Sequence, residues 1–180
     1  MLMNAQTDAD FLAMFRSEGI SLEKLQLIPS SFQIGDLASG KVTAFNSYLT
    51  NEPFYLQQRG VEYNIISPVT YGIDFYSDIL FTSQAEIDEH PQRVEALRRA
   101  TLRGWHYAMD NPEQIIDLLL DQYSVDKSRA HLQFEAQAMR PLVVSDLIEI
   151  GHMNPGRWQR MAETFLELGM VDSIAGLENF

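Results

Sequence analysis

The chain contains no cysteine. Disulfides, thiolate nucleophiles and Cys-ligated zinc or iron–sulfur sites are therefore excluded. Positive charge is also scarce: 13 Lys and Arg stand against 25 Asp and Glu, a formal net charge of -12. A surface that acidic repels phosphate backbones and anionic membranes, which argues against a nucleic-acid partner. No run of about 18 apolar residues occurs, so direct membrane insertion is not expected. The opening MLMNAQTDADF has neither a basic n-region nor a long apolar h-region and does not read as a signal peptide. HExxH, GxSxG, P-loop and GxGxxG motifs are missing. The four histidines, His90, His106, His131 and His152, are scattered and do not pair at helical ligand spacing. No catalytic residue, no metal and no cofactor is expected from these patterns.

What is present is ample apolar material. The 180 residues are 46% hydrophobic, enough for one domain or two small lobes. In the first half, Leu2–Asn4, Leu25–Ile28, Val42–Phe45 and Tyr63–Ile66 read as short strands. Between them lie short helices around Phe11–Phe15, over Ile34–Ser39 and from Asn51 to Gly60, with glycines at 19, 40 and 60 as stops. Such alternation predicts a three-layer α/β arrangement with a mainly parallel sheet. Ile79–Thr82 reads as one more strand, after which the chain turns helical.

The helical half is punctuated clearly. After Pro91 a long helix should place Val94, Leu97, Thr101, Trp105 and Ala108 on one buried face. Asn111-Pro112 and Asn154-Pro155 are cap-plus-proline starts, and Ser128 caps a helix expected to stop at Pro141. The last helix spaces Trp158, Met161, Phe165 and Leu168 along one stripe, closed by Gly169. The change of character near Ser77–Ser83 marks the expected boundary.

Function concentrates in Asn46–Tyr76, where polar groups and aromatic rings crowd the predicted strand ends. Glu52 stands at a helix start directly after a strand. It reads either as a first-turn acid favoured by the helix dipole, or as a carboxylate aimed over the strand ends, where open α/β sheets bind ligands. In the second role it can pair with a cationic or amidine-like group through two hydrogen bonds. Asp74, in YGID, reads as an Asx-type turn residue or as a second recognition acid. Tyr48, Tyr71 and Tyr76 suit half-buried packing or stacking on a planar ring. The string GHMNPGRW, residues 151–158, reads as structural.

Four strings, GKVTAFNSYLTNEP, ISPVTYGIDFYSDILFTS, LRRATLRGWHYAMDNPEQ and IGHMNPGRWQRMAETFLELGMV, resemble the thiamine-pyrimidine-precursor family of periplasmic-binding-protein-like domains. The resemblance runs from about Leu2 to Val171 and extends to solute-binding proteins of ABC transporters and to bacterial sensor regions. It implies a type II two-lobed binding fold with a ligand between the lobes, and a periplasmic or extracytoplasmic location. Residues 1–76 would form a near-complete α/β second lobe. Residues 77–180 would give the returning strand and C-terminal helices of a first lobe whose opening hundred or so residues are missing here. The implied ligand is thiamine-pyrimidine-like or another small nitrogen-bearing solute, with Asn46, Tyr48, Asn51, Glu52, Tyr71 and Asp74 around it. Synthase members of the family carry a cysteine-rich iron motif, which this chain lacks. A non-enzymatic binding or sensing module is therefore expected. The alternatives are a pyrimidine-biosynthesis enzyme and a truncated remnant with a structural or interaction role. A homo-oligomer through the C-terminal helices is expected, and an ABC permease or signalling output domain as partner in a longer parent.

Overall fold

The computed structural model describes residues 8–123 and 125–177. The chain divides into two compact units: Met1–Ser47, Tyr55–Ser77 and Met153–Phe180 make the first, Tyr48–Phe54 and Asp78–His152 the second. Eight α-helices are found among the described residues: α1 (Ala9–Ser17), α2 (Gly35–Ala38), α3 (Glu52–Gln58), α4 (Gln84–Glu89), α5 (Pro91–Asp110), α6 (Pro112–Gln122), α7 (Arg129–Val143) and α8 (Pro155–Glu167). Two 3-10 turns, Leu22–Lys24 and Pro68–Tyr71, join them.

The first unit is built on α1 and α8. α1 buries Leu12, Ala13 and Met14 and packs against the Pro68–Tyr71 turn and α8. Arg16, in its last turn, donates to the Glu167 carbonyl at 2.7 Å. The stripe expected on α8 does pack: Phe165 meets Phe75 at 5.8 Å between ring centroids, and Trp158 meets Tyr76 at 5.4 Å. Gly169 ends the helix at φ +69, with its N–H on Leu166 O and the Met170 N–H on Phe165 O. That pair of bonds is a Schellman close, which favours a residue without Cβ.

The second unit is a run of helices in contact, α4 on α5, α5 on α6 and α6 on α7. Ser83 and Ser128 cap α4 and α7 by accepting the N–H groups of Glu86 and His131, each at 3.2 Å. Such caps satisfy donors that the helix itself leaves unpaired. Ile116 and Leu132 form the buried apolar centre.

Three expectations are corrected. First, the predicted sheet is not formed among the described residues. Ile28 and Phe45 make only single bridges, Tyr63–Ile66 and Ile79–Thr82 are extended without a ladder, and Leu2–Asn4 lies outside the described residues. A strand needs a neighbour about 4.8 Å away to take its N–H and C=O groups. Tyr63–Ile66 and Ile79–Thr82 have no such partner among the described residues, and Ile65, Ile66, Leu80 and Phe81 lie exposed. The parallel sheet of the expected α/β lobe is therefore not found among the described residues. Second, α7 does not stop at Pro141 but runs to Val143. Proline removes one N–H near the end, and the Val144 N–H carries the ladder past it to Arg140 O at 3.0 Å. Third, the face expected on α5 is only partly covered: Val94, Thr101 and Ala108 are half-buried, but Leu97 and Trp105 remain exposed.

Candidate functional site

The most organised polar constellation lies at Tyr48–Phe54 in the second unit. The Asn51 N–H donates to Tyr48 O at 3.0 Å and closes a turn, from which α3 starts at Glu52. The Glu52 carboxylate is held from two sides. The Tyr48 N–H donates to Oε2 at 2.8 Å, and the Asn51 side-chain amide donates to Oε1 at 2.7 Å. An ionised carboxylate has about four acceptor positions, so about two remain for a further donor. Asn51 Oδ1 is shielded from solvent and has no hydrogen-bond partner. The adjacent Pro53 is buried, which fixes the turn, while the Tyr48 ring is 68% exposed.

Below this turn lies a group that the sequence did not single out. Phe54 stacks face to face on His131 of α7, with ring centroids 4.4 Å apart and planes within 8°. Phe134 packs on the same Phe54 ring at 5.7 Å. His131 is 1% exposed, the most deeply buried polar side chain among the described residues. Burial pushes its pKa down, because a charged imidazolium would lose its hydration. Lys127 nearby pushes in the same direction, while Glu135 and Glu52 oppose it. Lys127 and Glu135 pair with each other at 2.5 Å. Four scattered histidines offer no spacing signal for this arrangement; the cue was the Ser128 cap, which fixes His131 at the third position of α7.

The other three expected site residues belong to the first unit. Asn46 donates from Nδ2 to Asp8 at 3.0 Å, and its Oδ1 is shielded without a hydrogen-bond partner. Tyr71 ends the Pro68–Tyr71 turn and is 40% exposed. Asp74 is engaged by Arg157, at the start of α8. The Arg157 guanidinium also donates to the carbonyls of Asp74 at 3.2 Å and Phe75 at 2.8 Å, and lies 4.0 Å over the Tyr76 ring. The Tyr76 hydroxyl in turn accepts the Asn154 N–H at 2.8 Å. The GHMNPGRW string thus serves as an anchor, and Asp74 is part of it. Of the six expected residues, Tyr48, Asn51 and Glu52 are joined by direct hydrogen bonds, whereas Asn46 and Asp74 have partners of their own.

Two cavities were not foreseen. One of about 370 Å³ lies in the first unit against α8 and residues 171–177, lined by Trp158, Met161, Phe165 and Ile174 among others. The other, about 110 Å³, lies among α5, α6 and α7. Both are mainly apolar. No cluster of three or more His, Asp or Glu side chains able to hold a metal ion occurs among the described residues, and none of the helices described is long and apolar enough to cross a membrane.

Two curated proteins are similar to this chain over part of their length. The formylaminopyrimidine-binding protein of Halalkalibacterium halodurans is 27% identical over 110 residues, covering 59% of this chain and 33% of that protein. The riboflavin-binding protein RibY of Chloroflexus aurantiacus is 25% identical over 147 residues, covering 78% of this chain and 41% of that protein. The chain thus spans less than half the length of either relative. The family model described as NMT1/THI5 like matches residues 3–115, well over half of the sequence. The chain belongs to the NMT1/THI5-like family, a group of periplasmic-binding-protein-like domains.

Proposed function

We propose that this chain is a non-enzymatic small-molecule binding module whose recognition group is the Glu52 carboxylate. The observation that carries this reading is the double support of that carboxylate by the Tyr48 N–H and the Asn51 amide. A carboxylate already oriented loses little freedom on meeting a ligand, so more of each new hydrogen bond appears as affinity. The open acceptor positions suit an amino group beside a protonated ring nitrogen, an amidinium-like pair that can donate two parallel bonds. The exposed Tyr48 ring supplies a face for a planar heterocycle. Two relatives named for binding a formylaminopyrimidine and riboflavin, both planar nitrogen heterocycles, support the same ligand class.

Asn46, Tyr71 and Asp74 are further candidates for ligand contact. In the proposed assignment residues 1–76 belong to the second lobe of a two-lobed binding fold and residues 77–180 to the first. The whole protein would act outside the cytoplasm, delivering its ligand to an ABC permease or reporting it to a signalling domain.

Calorimetric titration with 4-aminopyrimidine and with riboflavin, on the unaltered chain and on Glu52→Gln, tests the reading. The expected result is binding of at least one of the two, weakened roughly tenfold or more by the substitution, since a charge-assisted pair is replaced by a neutral one. Equal affinity in the two proteins removes Glu52 from the site.

A further inference from the structure

The Tyr48–Phe54 turn meets α7 through the Phe54 ring, which packs on Phe134 and on His131, a ring that can take up a proton. Phe54 follows Glu52 by two residues on α3, so whatever holds the Phe54 ring also sets where the Glu52 carboxylate points. That ring is sandwiched on α7 by His131, nearly parallel at 4.4 Å, and by Phe134 at 5.7 Å. His131 is held in turn: it is 1% exposed, and its own N–H is tied to the Ser128 hydroxyl at 3.2 Å.

We propose that His131 is a positioning residue for the Glu52 carboxylate, and that proton uptake by its imidazole loosens the Tyr48–Phe54 turn and lowers affinity for an amino-bearing ligand. The inference rests on the reading of Glu52 as the recognition group.

Three features give the proposal its direction. The imidazole is removed from water, so a positive charge there lacks hydration. It stands at the third position of α7, where the partial positive charge of the helix start repels a cation. Lys127, just before α7, adds to that repulsion, although its charge is shared with Glu135. Against these stand the attraction of Glu135 on α7 and Glu52 on α3, and the cation–π attraction of the stacked Phe54 ring. Burial is the largest of these influences and the net effect favours the neutral ring. A neutral ring stacks on Phe54 without drawing Glu52 toward it. A protonated ring must either recover water, by leaving the stack, or recruit a carboxylate. Glu52 is one of the two acids within its electrostatic reach, and a Glu52 drawn toward α7 releases the Tyr48 N–H.

The test follows the Tyr48 amide by hydrogen exchange in the ligand-free protein, as a protection factor corrected for the intrinsic rate, from about pH 7.5 down through and below the ordinary histidine range, since the folded His131 takes up its proton below its ordinary value. The expected result is a protection factor that falls severalfold on acidification in the unaltered chain and stays level in His131→Phe, whose ring stacks but cannot titrate. In parallel, 4-aminopyrimidine affinity is compared between the two proteins at each pH, which cancels protonation of the ligand itself. The unaltered chain should lose affinity severalfold relative to the variant as the pH falls. If His131→Phe does not fold, Phe54→Leu replaces it: removal of the ring should lower Tyr48 protection already at neutral pH. A Tyr48 protection factor independent of pH in the unaltered chain, or the same pH profile in His131→Phe, overturns the proposal. Absence of ligand binding at every pH with the exchange profile intact instead overturns the ligand reading and leaves the positioning role of His131 standing.

Discussion

Arg157 binds Asp74 through both its carboxylate and its backbone carbonyl, and the same guanidinium reaches the Phe75 carbonyl and covers the Tyr76 ring. One side chain at the start of α8 thus fastens a whole extended segment. The two partners are unequal. Asp74 contributes one exposed ion pair, worth little in solvent. Arg157 contributes that pair, two hydrogen bonds to carbonyls and a stacked ring. Arg157→Ala should therefore cost about 1–3 kcal/mol, and Asp74→Asn no more than about 1 kcal/mol. Urea denaturation of the two variants checks the ranking. Equal losses would show that the ion pair, not the carbonyl and ring contacts, holds the segment.

Stability should depend on pH through His131. Its folded pKa lies below the ordinary value, with burial as the main cause. The unfolded chain takes up the proton near pH 6.5, the folded chain only at lower pH. Between those two values the unfolded state binds more protons, so stability falls as pH falls. The contribution is complete above about pH 6.5 and lost as pH drops through the folded pKa. Thermal melts of the unaltered chain and of His131→Phe, compared at each pH, isolate this residue from the many carboxylates. The difference in melting temperature should change across that window, and a constant difference excludes the linkage.

The two serine caps make a matched pair for a third experiment. Ser83 and Ser128 accept N–H groups at the same distance, 3.2 Å. A lost serine cap costs about 1 kcal/mol wherever it occurs. At Ser128 the freed N–H is that of His131, so the Phe54 stack is disturbed as well. Ser128→Ala should thus exceed Ser83→Ala in its effect on Tyr48 amide protection, though both lower stability by similar amounts. Native-state hydrogen exchange reads both quantities in one measurement. Loss of Tyr48 protection in Ser83→Ala alone would contradict the anchoring of the turn through α7.

The helices were legible in the sequence because their signals are local. Ser128 and Asn154-Pro155 specify starts through bonds made within four residues, and no distant partner is needed. The strands were not legible in the same way. Tyr63–Ile66 and Ile79–Thr82 have apolar composition, but a strand exists only when another strand accepts its backbone groups, and that partner is not encoded in the segment. Glu52 was singled out from its place at a helix start and Asn51 through the family resemblance, and the structure joins the two by a hydrogen bond. The His131–Phe54 stack escaped because its members lie on α7 and α3, far apart in sequence, where periodicity within one helix says nothing. Asp74 was recognised as a turn acid, while its partner Arg157 was assigned to a loop-and-cap string read only as structure.

Exposed apolar side chains on the helical unit lead to the last prediction. Leu97 is 59% exposed, Leu142 56%, Leu147 83% and Ile148 51%. Apolar groups so exposed, recurring on α5, on α7 and just after it, favour burial against another surface. The net charge of -12 opposes association, but added salt screens it over about 10 Å. The chain should therefore self-associate through these helices, with a dimer fraction that rises with salt. Sedimentation velocity over a range of micromolar concentrations measures this directly. The double substitution Leu97→Glu and Leu147→Glu should shift the equilibrium toward monomer by roughly tenfold or more, since each leucine loses a burial of about 1.5–3 kcal/mol. A chain that sediments as monomer at every concentration and salt level shows that these side chains stay in water, and removes self-association as their explanation.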